Sequence, residues 1–254
     1  MGQVIINADD FGYTESCTNA IAVAFTDKLI SSTTAMANSD YIEEAFRLAA
    51  KNGFLDKVGI HINLTYGIPL TEEIKQDPFF CSDGKFHNKI DRHKRLTKKQ
   101  VEEVKDEVNA QIKKLKGMGF TLTHADSHHH IHNAVYILNP IVTCLLDAGI
   151  TKIRLHRNVG NISFYKRILK QMYNKRLRAM GFKTSERMGG LNDILGDPNI
   201  LEKFSCEVMV HPDFDDLGNL IDRKEKINGV AVGDKLGRLA PYISDGNVIS
   251  YKDL

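Results

Sequence analysis

The sequence predicts an α/β protein folded as a distorted or incomplete (β/α) TIM-like barrel of seven to eight strands, in a single domain over residues 1–254. Short β-rich runs alternate with helical patterns of about 12 to 20 residues, which marks parallel βα units rather than hairpins. Seven runs read as strands and 248–251 is a candidate eighth, a number that favours a barrel over an open doubly wound sheet. Nucleotide-binding alternatives lack support, because no GxGxxG follows a strand and no GxxxxGK[ST] loop or internal repeat occurs.

Taken in order, Val4-Ile5-Ile6 reads as a buried strand, and residues 15–28 then carry Ile21, Val23, Ala24 and Phe25 on a helical face. Residues 31–37 form a Ser/Thr-rich second strand, followed by a helix at 41–51. The third strand, 58–64, alternates: Val58, Ile60, Ile62 and Leu64 share one face, and Gly59, His61 and Asn63 the other. From 66 to 96 the pattern lapses into a loop rich in Gly, Pro, Asp and Lys, and an excursion that long is usually functional or mobile. Helix 97–116 is strongly marked, with Thr97 as cap, Val101, Val104, Val108, Ile112 and Leu115 as the apolar stripe, and Gly117 with Gly119 at its end. Strands near 121–127, 152–157, 183–187 and 206–211 follow, separated by helices near 134–148, 164–180 and, briefly, 199–203.

Composition narrows the function. An apolar fraction of 42%, a charged fraction of 26% and a formal charge of +2 suit a soluble globular chain and give no basic stripe for nucleic acid or an anionic membrane. No apolar run reaches the roughly 20 residues that span a bilayer and no leader pattern opens the chain, so a cytoplasmic location is expected. Cys17, Cys81, Cys144 and Cys206 are too scattered for a CxxC pair and read as idle thiols. Exposed barrel helices leave a homodimer open.

Barrel chemistry collects at the carboxyl ends of the strands. There the first strand runs into Asp9-Asp10, the third carries His61, the fourth runs into "THADSHHHIH" at 123–132, the fifth holds Arg154 and His156, and the seventh ends at His211-Pro212. Each feature alone has a plainer reading: the aspartates as turn or cap residues, His61 as a structural histidine, His211 as the extended residue before a proline. Their coincidence at one rim argues for a site. In an extended strand His124, Asp126, His128, His130 and His132 share a face and His129 points away; if the chain bends into the next helix, His128 and His132 become neighbours instead. Five histidines cannot all bind one ion, since a catalytic site typically uses about three protein ligands. Mixed carboxylate and imidazole ligands suit a divalent ion such as Zn²⁺, Mn²⁺, Fe²⁺ or Co²⁺, or Mg²⁺ with added waters, which predicts metal-assisted hydrolysis.

Five blocks, "INADDFG" at 6–12, "GIHINLTYGIPL" at 59–70, "THADSHHHIH" at 123–132, "KIRLHR" at 152–157 and "EVMVHP" at 207–212, together resemble the YdjC-like carbohydrate deacetylases, in that family's order and across nearly the whole chain. The resemblance implies a distorted barrel that removes N-acetyl groups from chitooligosaccharides such as diacetylchitobiose, with one divalent metal ion, Mg²⁺ by resemblance, while Zn²⁺ or another transition metal suits the same ligands. It implies Asp10, His61 and His128 as metal ligands, Asp9 as general base and His211 as general acid. Arg154 is implied to orient Asp9 or to bind substrate. Two departures stand out: the size of the 66–96 segment, which leaves the precise sugar open, and Ala125 in place of the commoner leucine.

A competing hypothesis is a non-catalytic metal- or sugar-binding protein, with several ions on His128, His129, His130 and His132 and with Asp9 and Asp10 dispensable. A third keeps the metal hydrolase but moves it to another amide or an ester.

Overall fold

The structure, a computed structural model, describes residues 2–224, 232–244 and 246–254. In chain order the elements are β1 (Val4–Phe11), α1 (Glu15–Thr26), β2 (Ser32–Ala35), α2 (Ile42–Lys51), β3 (Val58–Ile62), α3 (Glu72–Lys75), β4 (Cys81–Ser82), β5 (Lys85–Phe86), α4 (Lys98–Met118), β6 (Ala125–Ser127), α5 (Val135–Asp147), α6 (Phe164–Ala179), β7 (Arg187–Gly190), α7 (Leu191–Leu195), α8 (Ile200–Lys203), β8 (Cys206–Val210), β9 (Pro212–Phe214), β10 (Leu220–Asp222) and α9 (Val232–Gly237). The helix ends follow local chemistry. Thr14 accepts the Cys17 N–H at the start of α1, Thr97 and Gln100 form a reciprocal capping box on α4, and Gly119 closes α4 at φ 106°. No helix among the described residues is long and apolar enough to cross a membrane.

Six strands form one parallel sheet in the order β6-β3-β2-β1-β8-β7. Single bridges from Ala125 to Ile153 and from Lys152 to Lys183 carry it onward, and the chain after Lys183 runs into β7, so the sheet curls into the incomplete barrel that the sequence predicts. Val4, Ile6 and Ala8 of β1, Val58, Ile60 and Ile62 of β3, and Cys206, Val208 and Val210 of β8 join the main apolar core with Ile21, Val104 and Leu145 of the helices. The alternate residues point inside the barrel, where Asn7, Asp9, His61 and Glu207 are buried with Arg154. The core therefore lies between sheet and helices, and the barrel interior is polar. Glycine is required at position 59, because a Cβ there would lie 2.5 Å from the His124 carbonyl oxygen.

Three expected strands are reduced. At 152–157 only the bridges form, because the side chain of Asn174 on α6 takes both the N–H and the C=O of His156, leaving them no strand partner. The strand expected at 183–187 pairs instead from Arg187 onward, against β8. The candidate eighth strand makes one bridge, Val248 to Val4, and then turns into a 3₁₀ turn at Tyr251–Asp253, capped by the Ser250 hydroxyl. The 66–96 excursion is more ordered than its composition suggests. It holds α3 and the β4–β5 hairpin, buries Ile74, Phe80, Phe86 and Ile90, and is tied to α4 by Glu107, whose carboxylate accepts from the Leu70 and Thr71 N–H groups and the Thr71 hydroxyl.

Candidate functional site

Strand alternation would send Asp9 and Asp10 to opposite faces of β1. The register against β2 instead shifts between Ala8 and Phe11, and Asp10 takes a left-handed φ of 71°. This bulge turns both carboxylates toward the rim, at the local cost that a non-glycine residue bears in that region. Asp10 Oδ1 lies 2.9 Å from His61 Nε2 on β3 and 2.7 Å from His128 Nδ1, just past β6. These three side chains are buried, and their ligating atoms all lie within 4.8 Å of one another.

Behind this trio, His61 Nδ1 faces Asp126 Oδ1 at 2.6 Å, and the Thr34 hydroxyl donates to Asp126 Oδ2 at 3.0 Å. That pairing fixes the imidazole with Nε2 forward. His61 Nε2 is buried and close to Asp10 but has no aligned hydrogen-bond partner, and a buried polar atom of this kind calls for a ligand. One carboxylate oxygen with two imidazole nitrogens is a donor set that divalent Zn, Mn, Fe or Co accepts and that Mg²⁺ can use with waters. A second group, Asp9 with His61 and Asp126, is also close enough to hold an ion. Its carboxylates are already committed, because Arg154 donates to both oxygens of Asp9 at 2.6 Å and reaches Asp126 Oδ2 at 2.8 Å. Arg154 occupies both carboxylates of that group, whereas at Asp10 the Arg223 guanidinium takes only Oδ2 and leaves Oδ1 facing both histidines, so Asp10, His61 and His128 are the better site.

Arg154 is wholly buried below Asp9, and its Nε donates to Glu207 at 2.7 Å. It does not line the cavity. Burial alone would raise the Asp9 carboxyl, but the charge and hydrogen bonds of Arg154, helped by His211 and His61, hold it well below the ordinary carboxylate range. Burial likewise opposes ionisation of Asp10 and is outweighed by the His128 hydrogen bond and by the nearness of His61. Burial would lower His61, yet the charge and hydrogen bond of Asp126 and the close approach of Asp10 push it up to about 10. His211 Nε2 sits 3.7 Å from Asp9 Oδ2, and its Nδ1 lies 3.9 Å from Asp222. A cavity of about 400 Å³ opens over Asp9, Asp10, His61, His128 and His211, with Asn88 and Arg92 of the excursion on its wall. A larger cleft of about 990 Å³, lined by Arg167 and Asn174 of α6 and Asp193 of α7 among others, contains none of these acids or histidines.

The six residues singled out from sequence thus converge, while most of the histidine tract does not. The strand stops at Ser127, and His129 and His130 both take positive φ, 50° and 53°. His129 and His130 are half-buried on the cavity wall, His129 meeting the Thr65 hydroxyl at 3.2 Å, and His132 is buried against Ser127. Among the described residues no metal-holding group includes any of these three. Several site residues escape the sequence reading. Asp126 is there only one member of a polar face, although its parity with His128 was the available signal. Glu207, a lone carboxylate in an apolar strand, was another. Arg223, which donates to Asp10 Oδ2 and lies 4.6 Å from the Tyr13 ring, carries no sequence signal.

Fold and site define a (β/α)-barrel protein with a buried aspartate–histidine centre at its carboxyl rim. The sequence matches the YdjC-like protein family over residues 3–234, and the chain belongs to that family. A carbohydrate deacetylase of Listeria welshimeri serovar 6b is 32% identical over 221 residues, 84% of this chain and 82% of its own. One from Oceanobacillus iheyensis is 33% identical over 218 residues, covering 84% and 86%. One from Vibrio parahaemolyticus serotype O3:K6 is 40% identical over 143 residues, covering 55% and 53%. A solved structure from Enterococcus faecalis V583, described as a candidate cellobiose-phosphate cleavage protein, shares the fold with a TM-score of 0.74 at 24% identity, covering 99% of this chain and 98% of its own.

Proposed function

We propose that this chain is a metal-dependent carbohydrate deacetylase that removes N-acetyl groups from N-acetylglucosamine-containing oligosaccharides of the diacetylchitobiose type. The supporting observation is the convergence of Asp10, His61 and His128 within 4.8 Å of one another, beside Asp9 and His211, in a chain whose relatives are named carbohydrate deacetylases.

In this reading Asp10, His61 and His128 hold one divalent ion, Mg²⁺ or a transition metal. The bound ion supplies Lewis acidity toward the acetyl carbonyl and makes water more acidic. Asp9 accepts the proton of the attacking water. Arg154 keeps Asp9 ionised, the form in which it can accept a proton. His211, with Nε2 3.7 Å from Asp9, delivers a proton to the amine nitrogen as the C–N bond breaks. The products are acetate and a free amino sugar. Of the two roles open to Arg154, its complete burial and its fork onto Asp9 favour orienting that carboxylate over touching substrate.

The test is acetate release from diacetylchitobiose by purified protein supplied with a divalent ion. Release that disappears with Asp10→Ala or His128→Ala supports the proposal. No release from any N-acetylated sugar would remove the substrate assignment.

A further inference from the structure

We infer that Tyr251, in the 3₁₀ turn at Tyr251–Asp253, is a positioning residue for Asp9, so that this turn takes part in aligning the site. The inference rests on the proposed function in assigning Asp9 the role of base.

Two routes lead from Tyr251 to the same carboxylate. Along the first, the Tyr251 hydroxyl donates to Glu207 Oε2 at 2.5 Å, Arg154 Nε donates to Glu207 Oε1 at 2.7 Å, and Arg154 forks onto both oxygens of Asp9. Along the second, the Tyr251 ring stacks on His124, with centroids 3.9 Å apart and planes 9° from parallel. His124 Nε2 then meets Asn7 Oδ1 at 3.0 Å, and Asn7 Nδ2 donates to Asp9 Oδ1 at 3.1 Å. Tyr251, Glu207, Arg154, His124 and Asn7 are all fully buried, so water cannot replace a lost link. Tyr251 is itself fixed, because its N–H donates to the Ser32 hydroxyl at 2.9 Å. Without the phenol donor, Glu207 would be free to turn, and the Arg154 fork that sets the angle of Asp9 would turn with it. Misalignment of a catalytic carboxylate slows chemistry more than it weakens binding.

The experiment compares the metal-loaded wild type with Tyr251→Phe, Glu207→Gln and the double variant in acetate release from diacetylchitobiose. Tyr251→Phe keeps the stacked ring and removes only the donor. Each single variant should lower kcat about tenfold with KM unchanged, and the double variant should be no slower than Glu207→Gln alone, since the hydroxyl acts through that carboxylate. Losses that multiply, or that fall on KM, overturn the inference. Glu207→Gln carries the kinetic test if Tyr251→Phe does not fold. If the wild type releases no acetate, the proposed function fails, and crystal structures of wild type and Tyr251→Phe decide the positioning role: an Asp9 carboxylate rotated off Arg154 supports it, and an unmoved Asp9 overturns it.

Discussion

His61 stands between two carboxylates, with Nε2 2.9 Å from Asp10 and Nδ1 2.6 Å from Asp126. The rear partner selects the tautomer and so decides which nitrogen is offered at the rim. Asp126→Asn should therefore lower divalent-metal affinity about 10- to 100-fold while leaving Asp10, His61 and His128 in place. Competition against a chelating dye measures this, and an unchanged affinity would show that Asp126 does not set the ligand.

Asp9 and His211 should be separable from the metal site. Asp9→Asn or His211→Ala is expected to cost about 10²- to 10⁴-fold in kcat while retaining one ion per chain. Loss of metal together with activity in Asp9→Asn would instead make Asp9 a ligand.

Glu107 is fully buried and anchors the excursion, receiving Leu70, Thr71 and, at 2.8 Å, Gln111. Glu107→Ala leaves the half-buried N–H groups of Leu70 and Thr71 and one donor of the buried Gln111 amide without this acceptor, and should destabilise the fold by about 2 kcal/mol or more. Denaturant melts report the loss, and protease cleavage should appear first within 66–96. A change below about 0.5 kcal/mol would mean that the excursion is held by its apolar contacts alone.

Acid should weaken the protein well above the carboxylate range. Burial, reinforced by the charge of Arg154, pulls His124 well below its ordinary value; burial, with His156 and His130 nearby, does the same to His132; and burial brings His156 to about 4 despite its Asn174 hydrogen bond. These rings are neutral when folded, whereas the unfolded chain takes up protons as pH falls through about 6.5. Their stabilisation is complete above that pH and declines below it, by about 3 kcal/mol for the three between pH 6.5 and 5.5. Chemical denaturation at the two acidic pH values checks the slope, and a flat profile contradicts it.

Much of this was legible in the sequence because alternation and strand-end position are local signals. They place His61 on a polar strand face and Asp10 and His128 at strand ends, and caps such as Thr97 and Gly119 fix helix ends to within a residue or two. What stayed hidden depends on distant partners. Nothing local shows that Asn174 will take the backbone of His156, that Tyr251 will reach Glu207, or that Arg223 will meet Asp10. The paired face of Asp9 and Asp10 was also hidden, since it needs a bulge that simple alternation excludes.

The most direct measurement is an anomalous-scattering crystal structure of the protein grown with Zn²⁺ or Mn²⁺. The account predicts one ion per chain, bound by Asp10, His61 and His128, with Asp9 and His211 facing it but not ligating. Ions held by His129, His130 or His132, with Asp10 free of metal, would contradict it.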